Sequence, residues 1–236
     1  MKALPHHKGF GIAKAVIWLA GSRVQMIIYQ PGEDGTIQSL KQYIYNDGKP
    51  GAWYSCRQRA EKILSFLCAR FSLDRCKVHI VIGGPGFSLQ HVELPTMVNK
   101  EADSLLCDAL DVANDKEKIV YGLQYVGRTL GCMFDWIVVK YQQQQYRWII
   151  ETLALRDVTI GKIIFVSDVM RHFFCQHKGK VYIEDGDHAH CCDLDCHSTA
   201  AYEWLEDGIP ACAVGPRNGC QHSLITDPFT AMKSLK

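Results

Sequence analysis

The sequence predicts a mixed fold of the α/β (α+β) class. Three observations carry that prediction. Short apolar runs bounded by Gly and Pro alternate with segments of helical periodicity along all 236 residues. The chain opens on strand, small-residue loop, strand, Gly turn and strand, and a weaker version of the same order returns near its end. No window reaches the roughly 18 consecutive apolar residues of a membrane helix.

The elements follow in order. AVIWLAGSRVQMIIY at 15–29 reads as two β runs broken at Ala20-Gly21-Ser22, and a Pro-Gly-Glu-Asp-Gly turn leads to a third run, Thr36–Tyr45. Residues 57–71 place Ala60, Ile63, Leu64, Leu67, Cys68 and Phe71 at helix spacing. Lys77–Ile82 is a strand ended by Gly83-Gly84-Pro85-Gly86, and Phe87–Leu94 is another, stopped by Pro95. A second amphipathic helix covers 99–112, strands cover Lys118–Val126 and Cys132–Tyr141, and a third helix covers 142–155. Ile160–Val166 is a strand before a short helix at Asp168–Cys175. Towards the end, Cys191–Asp193 and Thr199–Leu205 are strands, Asp207-Gly208 signals a hairpin, and Ile209–Val214 is the return. Pro210 puts that return near an edge.

Composition narrows the function classes. Hydrophobic residues make up 47%, enough for a substantial core, and Lys+Arg 26 against Asp+Glu 25 gives a formal charge of +1. Such a balance supplies no long-range field for nucleic acid or an anionic membrane, so no nucleic-acid partner is expected. MKALPHHKGF lacks the apolar core of a signal peptide. The expected location is therefore the cytoplasm, either free or peripheral at the inner face of the cell membrane. The 11 cysteines are then read as reduced thiols.

DGDHAHCCDLDCHST concentrates ligand atoms. His190, Cys192, Cys196 and His197 form the metal-ligating alternative, because alternate residues of a strand share a face. Structural zinc favours close pairs such as C-x-x-C, and no C-x-x-C occurs in the chain. The other reading, core thiols and exposed imidazoles, carries more weight, and no metal is expected.

VHIVIGGPGFSLQHVELPTMVNKEADSLLCDAL resembles the inserted subdomain of the PilM family, actin-like proteins of type IV pilus assembly. Pro85-Gly86, Leu94-Pro95 and the acidic helix from Lys100 match its order. DWIVVKYQQQQYRWIIETLALRDVTIGKIIFVSDV, whose last strand runs to Asp168, resembles the segment that follows. GspL-type secretion proteins and FtsA share parts of this plan, and the resemblance spans roughly residues 11–215. It implies an actin-like ATPase-type fold with an inserted small α+β subdomain. The first half would take 11–76 and 142–180, the insertion 77–141, and a shortened second half 181–236, with the later adenosine-binding elements absent. It also implies two phosphate loops. The first would hold Trp18, Ala20, Gly21 and Ser22, with Trp18 where the family has Asp and Ala20 where it has Gly. The second would hold Asp193, Asp195, Ser198 and Thr199, with Asp195 at the Gly position. A carboxylate about 4 Å from phosphate costs about 4 kcal/mol at an effective dielectric near 20, roughly a thousandfold in affinity. Both loops are thus degenerate, no cofactor is expected, and ATP binding is disfavoured.

The resemblance therefore implies a non-enzymatic scaffold of a pilus, competence or secretion assembly. Its partner would be the cytoplasmic N-terminal segment of a single-span membrane protein, held near Phe87, Leu89, Val92 and Leu94. A nucleotide-binding actin-like ATPase and a metal-binding regulatory protein are the alternatives.

Overall fold

The computed structural model describes residues 13–31, 37–45, 52–112, 119–129, 131–195, 199–213 and 224–235. The expected turn at 31–35 and the loop Cys196-His197-Ser198 lie largely or wholly outside them.

The first sheet joins β1 (Lys14–Leu19), β2 (Gln25–Pro31), β3 (Ile37–Ile44), β4 (Lys77–Ile82) and β8 (Thr159–Phe165) in the order β3-β2-β1-β4-β8. β1 pairs antiparallel with β2 and parallel with β4, and β4 pairs parallel with β8. From Ala15 to Leu19 every residue of β1 is at most 1% exposed. A strand covered on both faces reads as an unbroken apolar run, which is why AVIWL and VHIVI look alike. Helix α1 (Arg57–Phe71) buries Ala60, Ile63, Leu64, Leu67 and Cys68 and packs against α3 (Gln143–Ala154). It stops at Ser72, a left-handed residue at φ 50° whose N–H returns to the Cys68 carbonyl.

Between β4 and β8 the chain builds a separate three-stranded sheet from β5 (Phe87–Leu94), β6 (Ile119–Arg128) and β7 (Phe134–Gln142), in the order β5-β7-β6, with α2 (Asn99–Val112). Leu106 and Val138 centre a small apolar cluster with Val92, Ile119, Tyr121 and Leu123. Trp136 Nε1 donates to the Thr96 carbonyl at 2.9 Å, tying β7 to the approach of α2. The insertion thus starts later than the expected residue 77. Lys77–Ile82 is a central strand of the main sheet, because its apolar run is buried from both sides and bonded to both β1 and β8.

After α4 (Val166–Phe173), a four-stranded sheet is made from β9 (Gly179–Asp185), β10 (His188–Leu194), β11 (Thr199–Leu205) and β12 (Leu224–Thr226), ordered β11-β10-β9-β12. β9 pairs antiparallel with β10 and parallel with β12. This repeats the β3-β2-β1-β4 arrangement of the first half. α5 (Pro228–Lys233) follows, with Asp227 accepting from the Thr230 N–H at 3.0 Å as its N-cap. The expected strand at 209–214 is a single 3-10 turn, Ala211–Ala213, consistent with Pro210 having no N–H to give to a ladder.

Candidate functional site

The two sheets meet at the ends of β1 and β9. Trp18 lies at the penultimate position of β1 and Asp185 at the last position of β9, and both are 0% exposed. Trp18 Nε1 donates to Asp185 Oδ2 at 2.9 Å, and Gln25 Nε2, from the start of β2, donates to Oδ1 at 2.8 Å. His190 Nε2 stands 3.6 Å from Oδ2. The other ring nitrogen, Nδ1, lies 2.9 Å from the Tyr202 hydroxyl, which accepts from the Gly84 N–H at 3.1 Å. With the hydroxyl donating to Nδ1, the Nε2–H of a neutral imidazole faces the carboxylate. One chain of polar groups therefore runs from the loop after β4, through β11, β10 and β9, to β1 and β2. Trp18 and Trp204 close around the His190 ring, with centroids at 5.4 and 4.8 Å.

Burial holds His190 below its ordinary pKa, against the pull of Asp185, and pushes the Tyr202 hydroxyl well up. Both are neutral at physiological pH. The backbone is fitted to this arrangement. A Cβ on Gly21 would lie 1.6 Å from Asp185 Oδ2, and one on Gly84, at φ +79°, would lie 2.2 Å from the Ala20 carbonyl. Trp53 Nε1 donates to the Gly21 carbonyl at 3.0 Å and fixes the loop from behind.

The turn between β9 and β10 takes the same place in the second sheet as the loop 20–24 takes in the first. It reads Asp185-Gly186-Asp187, with Gly186 at φ +72°. The expected second loop, Asp193 to Thr199, is elsewhere: Leu194 pairs with Gly179, at the far end of β9. At about 3.3 Å per residue that is roughly 20 Å from Asp185. Asp193 pairs with Lys180 and Ala201 inside the sheet, Thr199 is buried, and Ser198 lies outside the described residues. The sequence signal for it is the short apolar stretch Val181-Tyr182-Ile183 in GKVYIED, which makes Asp185-Gly186 a strand end followed by a tight turn. Trp18 sits in β1, Ala20, Gly21 and Ser22 sit in the connection from β1 to β2, and all but Ser22 are buried.

Of the partner residues expected on β5, Phe87 is buried and Leu89, Val92 and Leu94 are half-buried. Phe87 is 6% exposed, with ring contacts to Tyr202 at 4.6 Å and Phe165 at 5.7 Å. Leu89 packs on the main core, Val92 on the Leu106–Val138 cluster, and Leu94 pairs with Phe134 across the ladder. An open groove of about 380 Å³ lies on the opposite side of the three-stranded sheet, lined by Ile119, Val120, Tyr121, Tyr146, Ile163 and Phe165. It separates the outer strands β6 and β8, with α3 between them.

For the metal alternative, His190 is committed to Tyr202 and Asp185, and burial pushes the Cys192 thiol well up, away from the thiolate that ligates metal. Cys196 and His197 lie outside the described residues, and among the described residues no three or more His, Cys, Asp or Glu side chains converge on a metal position.

Two sheets of this repeated order, with a small α+β unit inserted between β4 and β8, define the actin-like ATPase-type fold. The chain is similar to the cytoplasmic domain of EpsL, an inner membrane component of the type II secretion system of Vibrio cholerae, at 15% identity over 92% of this chain and 82% of that one, with a TM-score of 0.56. It is also similar to a chain of the PilM-PilN type IV pilus biogenesis complex, at 13% identity and a TM-score of 0.58, over 83% of this chain and 62% of that one. No protein-family model and no curated protein sequence matches it.

Proposed function

We propose that this chain is a non-catalytic scaffold of a type IV pilus, competence or type II secretion assembly. In this reading it acts on the cytoplasmic side of the membrane. It holds the cytoplasmic segment of a single-span membrane protein in the groove between β6, α3 and β8. The observation that carries the reading is the Asp185 carboxylate, locked by Trp18 and Gln25 in the space between the halves. A nucleotide phosphate entering there would meet a buried negative charge and an indole where the fold needs a magnesium-binding carboxylate. The fold shared with EpsL and with a PilM-PilN chain supports the assembly context, and the apolar groove supports the docking role.

The test has two arms. Titration calorimetry of the full chain with ATP and Mg²⁺ is expected to give no saturable heat. A photo-crosslinking amino acid at Ile163 or Tyr146, used in the native cell, is expected to capture a membrane protein with one span. Micromolar ATP binding by the wild type would establish the alternative, a nucleotide-binding actin-like ATPase, instead.

A further inference from the structure

A second cluster sits at the opposite end of the first sheet, where β1, β4 and β8 begin. Lys14 pairs in register with Lys77, and Lys162 with His79. Lys77 and His79 are two residues apart, so all four side chains leave the same face. The ladder between β4 and β8 shifts register between Val78 and His79, where Gly161 is the extra residue. Without that bulge Gly161, not Lys162, would face His79, so the irregularity delivers the third ammonium group. Gly161 also makes the space: a Cβ there would lie 2.8 Å from Lys77 Cε and 3.0 Å from His79 Cε1.

His79 is 8% exposed, and its Nδ1 is buried with no hydrogen-bond partner. Leaving such a group unpaired costs about 1–3 kcal/mol. Burial, and after it the positive charges of Lys77, Lys14 and Lys162, hold its pKa below the ordinary value. Among the described residues no carboxylate pairs with any of the three lysines, and Lys14 Nζ instead lies 5.9 Å from the Tyr29 ring centroid. Three ammonium groups without a carboxylate partner, beside a buried ring nitrogen with no partner, are complementary to one compact anion with several acceptor oxygens. Lys14 is half-buried, while Lys77 and Lys162 are exposed and open the cluster to solvent. The overall charge of +1 hides this local field.

We propose that Lys14, Lys77, His79 and Lys162 form a binding site for a single phosphate-bearing anion. It is distinct from the closed cleft, which lies at the other ends of the same strands. The neutral imidazole donates from Nδ1, and the lysines supply point charges. Free phosphate esters and lipid phosphates share this chemistry.

Histidine-selective ¹⁵N NMR on the full chain tests it, titrating inorganic phosphate against chloride at matched ionic strength. The His79 resonances are expected to move saturably, with a dissociation constant on the order of 1 mM or tighter. The His79 titration midpoint is expected to rise, because the bound anion favours imidazolium. Lys77→Gln with Lys162→Gln is expected to weaken binding at least about tenfold while leaving circular dichroism unchanged. If the pair unfolds, Lys162→Gln alone serves. A second arm sediments the chain with vesicles of phosphatidylcholine with or without phosphatidylglycerol. Sedimentation that needs phosphatidylglycerol and is lost in the lysine variant supports the site with a lipid phosphate as its source. Saturable phosphate binding without sedimentation supports it with a soluble ester as its source. Equal shifts with chloride, no saturation, or indifference to the lysine changes overturn it.

Discussion

Trp18 Nε1 and Asp185 Oδ2 are 2.9 Å apart, both fully buried, although 167 residues separate them in the chain. This hydrogen bond joins the first sheet to the second where the fold otherwise opens a cleft. Removing one partner of a buried charged hydrogen bond costs about 1–3 kcal/mol. Trp18→Phe, which keeps most of the ring volume, is therefore expected to lower the melting temperature by several degrees, at about 2–4 °C per kcal/mol for a chain of this size. Gly21→Ala is expected to do at least as much, since its Cβ would fall 1.6 Å from the same oxygen. Thermal unfolding of the two variants, followed by circular dichroism, checks both.

The nucleotide prediction separates the two candidate second loops. Wild type is expected to bind no ATP·Mg²⁺, and Asp195→Gly is expected to leave that result unchanged, because the end of β10 beside it, where Leu194 pairs with Gly179, lies about 20 Å from Asp185. Changes at Trp18, Gly21, Gln25 and Asp185, by contrast, act on the cleft directly. Calorimetry on the Asp195→Gly variant decides it: ATP binding gained there would return residues 193–199 to the phosphate-loop role.

Two buried histidines set the acid response. His190 and His79 both titrate below the ordinary 6.5 in the fold, burial being the first cause for each. The unfolded chain therefore binds more protons once pH falls below about 6.5. The stability these histidines contribute is fully present above that pH. It is lost as pH falls from there towards their folded values, by up to about 1.4 kcal/mol per pH unit for each. Around His190 stand Asp185, Tyr202, Trp18, Trp204 and His188. Urea unfolding at pH 7.5, 6.5 and 5.5 is expected to show this decline, and His79→Gln is expected to flatten it.

The groove and strand β5 separate packing from docking. Phe87→Ala is expected to destabilise by about 3–5 kcal/mol, because Phe87 sits under Tyr202 and Phe165. Ile163→Glu, at the wall of the open groove, is expected to abolish crosslinking from Tyr146 in the folded protein, and to lower the melting temperature as well, because Ile163 also packs on the main core. Retained crosslinking in Ile163→Glu, or its loss in a folded variant of Val92, would return the docking role to β5.

Local pattern determined a good part of this fold. Helices α1 and α2 fall at 57–71 and 99–112 as their apolar spacing predicts, because helix periodicity is a property of neighbours in sequence. The break at Ala20-Gly21-Ser22 and the Gly-Pro-Gly junction were legible for the same reason, while the actin-like plan with an insertion was legible only through resemblance to a known family. The same resemblance implied that Trp18 stands where the family has Asp. It did not show what the indole binds, since Asp185 ends a strand whose run GKVYIED is short, half polar and easily passed over. Nor did it show that Lys77–Ile82 belongs to the main sheet, because an apolar run buried on both faces does not name its neighbours. Those pairings, with the Gly161 bulge that sets Lys162 against His79, were decided only by the tertiary structure. Hydrogen-bonded register and contact between distant strands depend on the whole chain being folded at once.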